Sequence, residues 1–87
     1  MPRVIAFHEV KDVQRWLSSP TREDFFGPLG VTEITTYVDP QGSNRVGVSM
    51  NVGDMQAVMD AVQTPDGADA MERDGVIAET LVILIEA

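Results

Sequence analysis

The sequence contains no cysteine, which excludes disulfides, thiolate metal sites and thiol catalysis together. It is also short of positive charge: six Lys and Arg stand against fourteen Asp and Glu, a net charge of −8. A phosphate backbone is bound by clustered Lys and Arg, so neither nucleic acid nor an anionic membrane is an expected partner. The deficit is uneven, with eight acids and only Arg73 in residues 54–87, against six acids and five bases before them. A solvated, solubilising surface accounts for that balance. Long apolar runs are missing too. The longest, Leu81 to Ile85, is far short of a membrane span, and Met1-Pro2-Arg3-Val4 lacks the apolar region of a signal peptide, so the expected location is the cytoplasm. Histidine occurs once, as His8; without a paired ligand it makes no stable metal site, and no cofactor is expected.

What the chain does have is alternation. In Val31 to Val38, Thr32, Ile34, Thr36 and Val38 alternate with Val31, Glu33, Thr35 and Tyr37; in Arg45 to Val52 an apolar row of Val46, Val48, Met50 and Val52 alternates with Arg45, Gly47, Ser49 and Asn51. A period of two is that of strands. The intervening Asp39-Pro40-Gln41-Gly42-Ser43-Asn44 is rich in turn formers. Keeping like faces together pairs Val38 with Val46, Thr36 with Val48 and Ile34 with Met50, and hence Tyr37 with Gly47, Thr35 with Ser49 and Glu33 with Asn51.

Around this hairpin the remaining elements fall in order. Val4 to Val10 is β-branched and aromatic and reads as a central strand. Asp12 caps a helix carrying Val13, Trp16 and Leu17. Thr21 to Asp24 resembles a capping box for a short turn bearing Phe25 and Phe26, ended by Gly27-Pro28. Asp54 caps a helix whose stripe is Met55, Val58, Met59 and Val62; Thr64-Pro65 restarts it, and Gly75 closes it at positive φ. Glu79 to Glu86 is the last strand. Strand, helix, strand, strand, helix, strand over residues 1–87 predicts one α+β domain, the ferredoxin-like βαββαβ sheet, four-stranded and antiparallel, with both helices on one face and the first and third strands central.

In element order, size and broken second helix the whole chain resembles the dimeric α+β barrel superfamily, which includes antibiotic-biosynthesis monooxygenases and stress-responsive barrel proteins. The resemblance implies a homodimer in which the sheet faces left bare by the helices meet. On this reading the bare face carries Val4, Ala6, His8, Val31, Glu33, Thr35, Tyr37, Gly47, Ser49 and Asn51, with Leu81, Ile83 and Ile85 from the last strand. Such an apolar patch calls for a partner copy.

On that face His8, Tyr37 and Arg45 are the catalytic candidates: a histidine base with a tyrosine and an arginine beside it suits proton removal from a phenol or enol. The plainer role for His8 is a hydrogen-bonded pocket or interface residue. Glu33, Thr35, Ser49 and Asn51 are candidate pocket residues; as ordinary sheet residues Ser49 and Asn51 would satisfy each other, water or a partner copy, and Glu33 would be an edge-strand charge that discourages further pairing, or a base candidate if its carboxylate is buried. Trp16 belongs to the core stripe. The Asn, Trp and His that act together in haem-degrading relatives are not carried over, because Asn51, Trp16 and His8 stand on the wrong elements. The expected function is therefore a small homodimer that binds a small apolar or aromatic molecule, between sheet and helices or at the interface. The alternative is a cofactor-free monooxygenase or isomerase acting on an aromatic or polyketide-like substrate.

Overall fold

A computed structural model describes residues 3–87; Met1 and Pro2, read above for a signal sequence, lie outside them. The elements are β1 (Arg3–Val10), α1 (Val13–Ser18), α2 (Thr21–Phe26), a 3-10 turn (Gly27–Leu29), β2 (Val31–Val38), β3 (Arg45–Val52), α3 (Met55–Val62), α4 (Pro65–Arg73) and β4 (Val76–Ile85). The strands form one antiparallel sheet in the order β2-β3-β1-β4, with the first and third strands central as expected.

The caps explain where the helices begin. Asp12 accepts from the backbone of Arg15 at 3.2 Å, Asp54 from Ala57 at 3.1 Å, and Thr64 from Gly67 at 3.2 Å. Each satisfies a donor that an N-terminus leaves unpaired. The box at Thr21 does not form: Pro20 occupies the cap position without a side-chain bond, and Thr21 turns its hydroxyl to Ser19, 2.8 Å away. Gly75 has φ 71° as its place after α4 demands.

Two bulges set the faces of the sheet. From Thr35 to Val38 the hairpin pairs as expected, but Glu33 sits at φ 55° and the ladder shifts between Thr32 and Thr35. Glu33 and Ile34 thus stand against the single residue Met50, a bulge that reverses the parity of β2. Val31 pairs with Val52 and is buried under the helices, not on the bare face.

The assignment of β1 is corrected as well. Val4, Ala6 and His8 pair with Met50, Val48 and Val46, and directly opposed residues share a face. Since the dry row of β3 lies under the helices, Val4, Ala6 and His8 lie there too, and Arg3, Ile5 and Phe7 face outward. β4 follows β1: Ile83 pairs with Ala6 and Ile85 with Val4 on the helix side, leaving Val82 and Leu84 on the bare face. The core is Val4, Ala6, Val10, Trp16, Val46, Val48, Met50, Val52 and Val58, with Val31 at its edge.

Candidate functional site

Between sheet and helices lies a cavity of about 120 Å³. Its floor is the row Val4, Ala6, Val48 and Met50; Met59 and Met71 belong to its helical walls. The small side chain of Ala6 on a central strand leaves room that a larger residue would fill. An apolar cavity of roughly 150 Å³ holds one benzene ring, so this space suits a single ring.

Polar groups gather at one end. His8, Thr21, Arg22 and Asp74 all reach the cavity and all are buried. The ring of His8 stands edge-on to Trp16, centroids 5.7 Å apart, and the Arg22 guanidinium lies 4.2 Å over the Trp16 ring, a cation–π contact. Arg22 Nη1 is 3.7 Å from Asp74 Oδ2, an ion pair beyond hydrogen-bond length. Ser19 donates to Asp74 Oδ1 at 2.5 Å.

His8 Nδ1 faces the Glu9 carbonyl at 3.4 Å. A carbonyl can only accept, so Nδ1 carries the proton and Nε2 keeps its lone pair. Burial, the largest influence, lowers the His8 pKa below its ordinary value; the Glu9 carbonyl opposes this, Arg22 adds to it and Asp74 opposes it. The imidazole is thus neutral at neutral pH, with a free basic nitrogen.

The other candidates stand elsewhere. Tyr37, Arg45, Glu33, Thr35, Ser49 and Asn51 belong to the bare face and the rows beside it, with the sheet between them and His8. His8, Tyr37 and Arg45 therefore do not converge on one cavity. On the bare face Arg3 organises a network: its guanidinium donates to Glu33 at 3.2 Å and Asn51 at 3.0 Å, and its second arm lies 3.5 Å from Ser49. Asn51 also donates to Glu33 at 2.5 Å, and the Tyr37 hydroxyl is 2.9 Å from Ser49. Beside this polar strip run Ile5, Phe7, Val82 and Leu84. An apolar half next to a polar half was expected there, but from other residues of β1 and β4.

Sequence reasoning missed Arg22, Asp74, Ser19 and Thr21. Ser19 and Asp74 are 55 residues apart, and each alone reads as an ordinary loop or helix-end residue. No local signal joins them. Among the described residues no group of three or more His, Asp or Glu is arranged to hold a metal ion, and no helix is long and apolar enough to cross a membrane.

No protein-family model and no curated protein matches this sequence. Solved structures do. An antibiotic biosynthesis monooxygenase-like protein of Bordetella bronchiseptica is 15% identical with a TM-score of 0.70, over 99% of this chain and 94% of its own. A counterpart from Nitrosomonas europaea is 13% identical with a TM-score of 0.66, over 100% and 97%. A mutant of SnoaB, a cofactor-independent oxygenase from Streptomyces nogalater, is 15% identical with a TM-score of 0.68, over 99% and 90%. At these identities the likeness is one of fold. The chain has the ferredoxin-like α+β fold of the antibiotic-biosynthesis-monooxygenase-like proteins, as its element order implied.

Proposed function

We propose that this chain acts as a single domain over residues 1–87, as a cytoplasmic homodimer, and binds a small apolar or aromatic molecule between its sheet and helices. The observation that carries this reading is the cavity: apolar walls of one-ring size, with a few buried polar groups at one end, is the usual build of a small-molecule site. Pairing through the bare face is supported by the exposure of Ile5 at 42%, Val82 at 41% and Leu84 at 52%, side by side across β1 and β4.

Trp16 is the sole tryptophan and lines the cavity, so its emission reports occupancy. Toluene is expected to change that emission saturably in the wild type, and Ala6→Leu, which fills the floor, to weaken the response at least about tenfold. A wild-type emission that stays flat with toluene and with polar one-ring analogues alike, up to their solubility, removes the reading.

A second reading is a cofactor-free monooxygenase or isomerase with His8 as base, acting on an aromatic or polyketide-like substrate. It is supported by a neutral His8 that lines the cavity and keeps one ring nitrogen as an acceptor, and by likeness of fold to a cofactor-independent oxygenase. Tyr37 and Arg45 have no part at His8 in this reading; with Glu33, Thr35, Ser49 and Asn51 they serve the bare face, where a partner copy completes their surroundings. Full turnover by His8→Ala on a substrate found for the wild type would remove His8 from that role.

A further inference from the structure

The polar end of the cavity points to a ligand class, on the premise that the cavity is a binding site. The Arg22 side chain is 8% exposed and reaches the cavity, yet among the described residues its Nε and Nη1 have no hydrogen-bond partner. Its Nη2 donates to the Leu17 carbonyl at a long 3.5 Å. Asp74 neutralises it without satisfying its donors, because the carboxylate stands 3.7 Å off and is held by Ser19. Buried guanidinium donors without acceptors are costly, and the contact with Trp16 holds this one in place with those donors unused. An acceptor atom brought by a ligand would complete it, and an anionic oxygen would do so best.

Charge then decides in what form the ligand arrives. Arg22 and Asp74 cancel, and His8 is neutral. A bare anion added to this apolar space would leave one uncompensated buried negative charge, which is strongly unfavourable. The charged groups facing His8 are Arg22 from α2 and Asp74 at the end of α4, while Trp16 of α1 is uncharged against its ring. His8 Nε2 is therefore the group free to take a proton. When an acid enters, its O–H bond breaks, the proton moves to Nε2, and the electron pair stays on the oxygen beside Arg22; nothing is oxidised or reduced.

We propose that the cavity selects a monocyclic aromatic acid, its ring among the apolar walls, its acidic oxygen on Arg22 and its proton on His8. Titration calorimetry of the wild-type protein with benzoate, benzamide and toluene, at neutral pH in two buffers of different ionisation enthalpy, tests this. Benzoate is expected to bind about tenfold or more tighter than its neutral isostere benzamide, taking up about one proton, while toluene takes up none. The charge-neutral double change Arg22→Gln with Asp74→Asn should abolish the preference for benzoate. Binding of benzamide as tight as benzoate overturns the acid assignment and leaves the cavity reading standing. A benzoate preference without proton uptake removes His8 from the proposal, and a double variant that keeps the preference removes Arg22. Failure of toluene and both other probes to bind overturns the cavity reading itself and the ligand class with it.

Discussion

His8 shows how one residue's environment sets its chemistry. Pressed against Trp16 and under the helices, it loses solvation in its charged form, so its folded pKa lies below its ordinary value of 6.5. The unfolded chain then binds the proton more tightly than the folded one. Stability contributed by neutral His8 is full above the unfolded pKa, and it is lost as pH falls below about 6.5 towards the folded pKa, with a slope of at most about 1.4 kcal/mol per pH unit. Urea midpoints are expected to fall between neutral and mildly acid pH, above the range where ordinary carboxylates titrate, and His8→Gln should flatten that fall. An unchanged slope in His8→Gln would show that the histidine is not the group responsible. The residue itself was visible as the one histidine on a central strand; the side of the sheet it occupies was not, because β1 is apolar on both faces.

Among the elements, the strands and helices were largely legible and the bulges were not. Alternation located β2 and β3, β-branched and aromatic composition located β1, and Asp12, Asp54 and Thr64 marked helix starts through the bonds they make. β4 begins earlier than its apolar run, at Val76, and its pairing with β1 jumps from Phe7–Val82 to Glu9–Ile77. Thr80 fills this break: its hydroxyl accepts from the Glu9 N–H at 2.8 Å and donates to the Ile77 carbonyl at 2.6 Å. A threonine in a strand carries no mark of that duty. Gly67 is another such position. A Cβ there would stand 2.6 Å from the Ala61 carbonyl oxygen and 2.8 Å from the Val62 carbonyl carbon, backbone atoms that cannot swing aside. Gly67→Ala gains at most about 1 kcal/mol of helix propensity against about 1–3 kcal/mol for forcing α3 and α4 apart. Chemical denaturation should therefore show a lower midpoint for Gly67→Ala, whereas a higher one would mean that the close approach of the two helices is easily relaxed.

At the scale of the molecule, the bare sheet face joins an apolar strip to the Arg3, Glu33, Asn51 and Ser49 network. If two copies meet there, light scattering should give twice the chain mass at micromolar concentration, and Leu84→Asp, which places a charge in the strip of an already acidic chain, should give monomers. A wild-type monomer under those conditions removes the dimer, and a dimeric Leu84→Asp moves it to another surface. By itself the sequence determined the element order, the four-stranded antiparallel sheet and the hairpin register from Thr35 to Val38, because these follow from periodicity and turn chemistry over short stretches. Only the tertiary structure decided which rows lie beneath the helices, since two bulges and the pairing of β1 with β3 set parity across strands distant in sequence. It alone also assembled His8, Trp16, Arg22 and Asp74, because a buried polar cluster is made by burial and by meeting, and neither is written in any one segment.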